Sequence, residues 1–178
     1  KLDADNTASA SMKKQEGSYF DTFFNQTFVY DKRNQKHMTS DGYISRFTQN
    51  VPLISDSYSL TNTYSYKIYN EWLDENVFSI GFFGQATNSL NGNNVKLSDR
   101  LYLPSSKLRG FESGKVGPKD GADYIGGNYA ASINVATSLS QILPNSQNTT
   151  FSIFFDAANV WGIDYSSSLS DESRIRSS

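Results

Sequence analysis

Cysteine is absent from the 178 residues, which removes disulfide frameworks, thiolate metal sites and cysteine nucleophiles. It leaves the compartment open, since many exported bacterial proteins also lack cysteine. Charged residues make up 19% and apolar residues 37%, against about 25% and about 45–50% in ordinary soluble domains. A chain short of both is neither a helical bundle nor a salt-bridged soluble α/β enzyme. No run approaches the roughly 18–20 consecutive apolar residues that a membrane-crossing helix needs, and no charged-then-apolar leader stands at the N-terminus. Basic residues are not clustered along the chain and the net charge is -2, so a nucleic-acid surface is excluded.

Catalytic inventory is equally thin. The one histidine, His37, sits in the polar turn Lys36-His37-Met38 and reads as solvated, so neither an HExxH zinc site nor a histidine cluster can form. No Gly-x-Ser-x-Gly elbow presents a serine nucleophile, and the glycines at 110, 114, 117, 121, 126 and 127 make no phosphate-cradling pattern. Asp3, Asp5, Asp120, Asp123, Asp171 and Glu172 read as solvated loop acids without EF-hand spacing. The sequence therefore predicts no enzyme, no cofactor and no metal.

What is present is alternation, together with 11 Tyr and 12 Phe, too many aromatics for a disordered chain. Six stretches follow period 2, in which successive side chains take opposite faces. Phe20, Phe24, Phe28 and Tyr30 oppose Asp21, Asn25 and Thr27; Tyr43, Phe47 and Val51 oppose Arg46, Thr48 and Asn50. Tyr64, Tyr66, Ile68 and Trp72 oppose Ser65, Lys67 and Glu71; Phe78, Ile80 and Phe82 oppose Ser79 and Gln85. Tyr129, Ala131, Ile133 and Val135 oppose Asn128, Ser132 and Asn134; Phe151, Ile153 and Phe155 oppose Ser152 and Asp156, with Phe154 an impurity on the polar side.

The stretches exceed the usual strand of about 5–6 residues and are long enough to cross a bilayer obliquely, which takes about 9–11. The aromatics Tyr19, Tyr43, Trp72, Tyr129 and Trp161 lie near their ends, as interfacial girdles do. The fold class is all-β, a partial antiparallel transmembrane barrel of about six to seven strands whose apolar face meets lipid and whose polar face meets a wet lumen. A soluble sandwich, such as an extracellular adhesin, alternates too, but with short strands and an apolar inward face. Tight connections are expected around Asp74-Glu75-Asn76 and Leu143-Pro144-Asn145-Ser146, and long ones at 91–122 and 163–173, on opposite sides of the membrane. The chain before Tyr19, with Thr7 to Ser11, is expected to be a surface loop. The chain stops within the strand-like Arg174-Ile175-Arg176 and is expected to be an excerpt that does not close a barrel alone.

Four ordered motifs carry a resemblance. Tyr30-Asp31-Lys32-Arg33-Asn34, Leu108-Arg109-Gly110-Phe111, Gly126-Gly127-Asn128 and Phe155-Asp156-Ala157-Ala158-Asn159-Val160-Trp161 resemble, in order, signatures of the BamA family of outer-membrane assembly barrels, also called bacterial surface antigens. The resemblance implies that residues 1–178 are part of a C-terminal barrel of sixteen strands, roughly the eighth to the start of the fourteenth. Periplasmic repeats and the final strands would lie outside this chain. It implies that the loop about 91–122 folds back into the barrel, where Arg109 meets Asp156, with Gly126, Gly127, Asn128, Phe155, Asn159 and Trp161 as structural positions. It further implies insertion of unfolded β-barrel clients into the outer membrane of a Gram-negative cell, with accessory lipoproteins and the lipid bilayer as partners. A related translocation-and-assembly factor, a two-partner secretion pore and a passive porin remain alternatives. Departures are Ala136, where relatives often carry a glutamate, Ala158 in place of the glycine after the aspartate, and a turn at 33–41 without proline.

Overall fold

The computed structural model describes residues 13, 16–73, 76–139, 151–164 and 174–178. The expected turns at 74–75 and 143–146, most of the connection 163–173 and the segment 7–11 lie outside the described residues. Long strands form wherever β-branched and aromatic residues alternate with Ser, Thr and Asn, since such side chains suit a pleated surface. These are β1 (Asp21–Asp31), β2 (Gly42–Ser55), β3 (Ser59–Leu73) and β4 (Asn76–Ser89). The connection that follows contains two single 3-10 turns, Leu97–Asp99 and Ser105–Lys107, and a small hairpin of β5 (Lys119–Asp120) and β6 (Asp123–Tyr124). Asp120 and Asp123, expected in irregular loop, face each other across that hairpin. Then come β7 (Tyr129–Ser138), β8 (Ser152–Trp161) and the short β9 (Arg176–Ser177).

The large sheet has 7 strands in the order β1-β2-β3-β4-β7-β8-β9, each antiparallel to its neighbour. This is an all-β antiparallel sheet of long strands, and it stays open, with β1 and β9 at its edges among the described residues.

Its two faces differ as the alternation requires. One carries Phe24, Phe28, Ile68, Trp72, Phe82, Ile133 and Phe151 in the open, with Ile153 and Phe155 57% and 53% exposed. The other, the inner face, is covered by the connection between β4 and β7. Here Leu101, Leu103, Leu108 and Val116 from the connection pack against Phe83, Ala130, Ala158 and Val160 from the wall. The inner side is therefore not uniformly wet, as the sequence suggests. Where the loop sits, a small apolar core joins loop to wall, because burying these side chains against one another removes them from water.

Gln26 shares the outer face with Phe24 and Phe28, as its parity predicts, and it donates to Gln49 (2.7 Å) as Gln49 does to Asn62 (2.8 Å), a row of amides that satisfies itself across three strands. One further expectation needs correction: short and long connections are not cleanly segregated. A short turn at 56–58 lies at the same end of the sheet as the long loop, and the longer connection 32–41 lies at the other. That longer connection is tied down by Asn34, whose Oδ1 accepts from the backbone N–H groups of Gln35, Ser40 and Asp41. Arg33 adds a two-point bond to Asp31 (2.9 and 2.7 Å).

Candidate functional site

Register places the site's polar side chains in line. On the inner face Lys67 pairs with Gly81, Gly81 with Asn134, and Asn134 with Asp156, one cross-strand row from β3 to β8. Asp156 stands in the row fully buried, among strand neighbours whose alternate residues point the other way. A carboxylate out of water is costly unless donors surround it. Four donors do so.

Three come from the tip of the loop. Arg109 reaches Asp156 with its Nε (2.7 Å to Oδ2), its Nη2 (2.6 Å to Oδ1) and its own backbone N–H (3.0 Å to Oδ2). The planar guanidinium fork matches the two carboxylate oxygens, a geometry Lys cannot offer. The fourth is Asn134, whose Nδ2 donates to Asp156 Oδ1 (2.8 Å) and to the Lys107 carbonyl (2.9 Å), holding loop and strand together. The guanidinium also lies 3.7 Å from the centre of the Phe154 ring, so the apparent impurity of β8 is a stacking surface for the cation. Donating to Asp156 raises the arginine above its already high ordinary range, and it is charged at all relevant pH.

The rest of the tetrapeptide shapes this approach. Leu108 is buried in the loop–wall core and Phe111 packs half-buried against it. Gly110 has φ 81°, a left-handed conformation that a side chain at this position would strain. The return of the loop into β7 depends on Gly126 and Gly127. The first has φ 66° beneath the Tyr102 ring, and a Cβ on the second would run into the Trp161 backbone. Gly127 exchanges backbone hydrogen bonds with Leu101 (2.8 and 3.1 Å), and Asn128 is buried with its N–H donating to Gly162.

The remaining motif residues are not brought to the arginine. Phe155, Asn159 and Trp161 sit on the outer-face parity of β8. Trp161 stacks on Tyr129 with ring centres 5.9 Å apart, and Asn159 Oδ1 accepts from the Val160 N–H.

Residue patterns alone missed three members of the site: Asn134, Phe154 and Asp164. Asp164 accepts from the Val95 N–H (2.6 Å) and the Arg100 guanidinium (3.1 Å), a second tie between loop and wall beyond the end of β8. The signal for Asn134 was its parity with Asp156 on the neighbouring strand. Its amide means that the arginine–aspartate pair does not stand alone despite the alanine at 136. Among the described residues no group of acidic or histidine side chains could hold a metal ion.

Comparison with known proteins agrees with this architecture. The Omp85 superfamily domain matches residues 1–178. A SAM50-like protein of Schizosaccharomyces pombe is 51% identical over 43 residues, 24% of this chain and 9% of that protein. The crystal structure of BamA from Haemophilus ducreyi lacking POTRA domains 1–3 superposes with a TM-score of 0.68 at 23% identity, over 78% of this chain and 30% of that one. The chain thus spans less than a third of the BamA chain whose fold it shares. It belongs to the Omp85 superfamily, and its strands are part of an outer-membrane β-barrel.

Proposed function

We propose that the complete protein folds and inserts other β-barrel proteins into an outer membrane, without cofactor or covalent chemistry. The observation that carries this reading is the loop folded onto the inner face of a wall of long strands and held there by Arg109 on Asp156. In this reading the described strands form the stable side of a barrel and the loop braces it from within. The working element is a strand edge elsewhere in the barrel, whose unpaired N–H and C=O groups template an incoming client strand. Clients are unfolded outer-membrane β-barrel chains, and accessory subunits dock outside the described sheet.

Reconstitution tests the proposal. The complete protein in phospholipid vesicles is expected to speed the folding of a urea-denatured β-barrel client, read by its shift in gel mobility. Conductance across the vesicle membrane with no gain in client folding overturns it in favour of a pore.

A further inference from the structure

A second feature of the inner face is not accounted for by the braced loop. Between the loop and the wall lies a cavity of about 490 Å³, lined by Arg46 of β2, Lys67 of β3, and Lys107 and Arg109 of the loop. Among the described residues no acid lines it. Asp156, which Arg109 and Asn134 hold beside it, has both its oxygens occupied by those two side chains. The cavity exists because the wall behind it is built of small side chains. Gly81 interrupts the row between Lys67 and Asn134, and Ser65, Ser79 and Ala136 complete the floor.

Like charges converging on one space repel, and among them Lys107 is part-buried while Arg46 and Lys67 are exposed. Burial pushes the Lys107 ammonium below its ordinary range, and the charge of Lys67 pushes it the same way. Rings relieve part of the cost: Lys107 lies 4.9 Å from the centre of Phe83 and Lys67 4.9 Å from Tyr69. Neither ring neutralises a charge. An anion would. The Lys67 and Lys107 ammonium groups from two directions, the Arg46 guanidinium and the Ser106 hydroxyl offer the converging donors that an oxyanion with several acceptor atoms requires. The volume falls in the range of small-ligand sites, about 300–1,000 Å³. The wall separates it from lipid, which favours a free ion over a headgroup.

We propose that the cavity bounded by Arg46, Lys67, Lys107 and Ala136 binds a small free oxyanion of the phosphate class carrying two or more charges. The site is independent of client folding, so it stands or falls apart from the assembly function.

Titration calorimetry of the complete protein in detergent micelles, with inorganic pyrophosphate as probe, tests it. One saturable site is expected, weakened by about tenfold or more in the Arg46→Ala, Lys67→Ala double variant. Ala136→Glu places a carboxylate in the cavity and is expected to abolish binding, whereas Ala136→Gln, of equal bulk and no charge, retains it. Gel mobility identifies variants that have folded, and the Glu and Gln pair separates charge from bulk if the double variant does not fold. Absence of saturable binding overturns the proposal, as does binding unchanged in Ala136→Glu. So does tighter binding of a hexa-aspartate peptide than of pyrophosphate, which would assign the cavity to an acidic polypeptide.

Discussion

Asp156 receives four donors on two oxygens, and the consequence for each partner differs. Arg109 is about a third exposed (35%), so its removal lets water reach the carboxylate, while Asp156 itself is at 0% and has no such relief. Arg109→Ala is expected to cost about 1–3 kcal/mol, the range for a hydrogen bond to a charged group, and Asp156→Asn at least as much, because its new amide hydrogens confront the guanidinium. The double variant should lose less than the sum, by about 1–2 kcal/mol, in urea unfolding of the complete protein. Strict additivity would show that the two side chains do not act as a pair. Arg109→Lys keeps the charge and loses the fork, and is expected to recover only part of the loss. Of these residues, Asp156 was named by the family resemblance of the Phe155-Asp156 strand, and its parity, opposite to Phe151, Ile153 and Phe155, agreed with it. Asn134 was not, since one amide in a chain full of Ser, Thr and Asn carries no local mark. Phe154 read as a flaw in the alternation because its partner lies 45 positions away in the chain, counted from Arg109.

At the scale of elements, the six long strands were legible because period 2 persists over 10 residues or more in each. The interior of the loop was not. β5 and β6 are 2 residues each, too short to show a period, and Leu101, Leu103, Leu108 and Val116 are spaced by turns rather than by a repeat. Yet these four supply half of the loop–wall core, so the loop is a structural layer in its own right. Its exit is fixed sterically. Gly127 approaches the Trp161 backbone so closely that a methyl group cannot be admitted without moving β7 against β8. Gly127→Ala is therefore expected to cost about 1–3 kcal/mol, the scale of a locally forced backbone. It should also expose the segment 101–127 to added protease while the more distant pairing of β1 with β2 keeps its slow amide exchange. Unaltered proteolysis would mean that the apolar core and the polar ties of the loop hold it without this close approach.

For the molecule as a whole, the decisive property is which face meets lipid. In a barrel the exposed aromatic and aliphatic face looks outward and tolerates no charge at mid-depth, whereas the inner face, away from the apolar core beneath the loop, meets water and polar side chains. Ile133 lies on the outer face, paired with Phe82 on one side and Ala157 on the other. Thr63 lies on the inner face and lines a second cavity of about 400 Å³ with Asn25, Thr48 and Gln85. An arginine at Ile133 must carry its charge into hydrocarbon or distort the bilayer around it, a cost of about 2–4 kcal/mol near the midplane. The same residue at Thr63 enters a hydrated polar space and is expected to change stability by no more than about 1 kcal/mol. Equilibrium unfolding of the two variants of the complete protein in phospholipid vesicles gives the comparison. Repeating it in short-chain detergent, whose thin belt deforms around a charge, should shrink the gap between them. If Thr63→Arg proves the costlier change in vesicles, the face beneath the loop is a dry interior and the strands do not line a lumen.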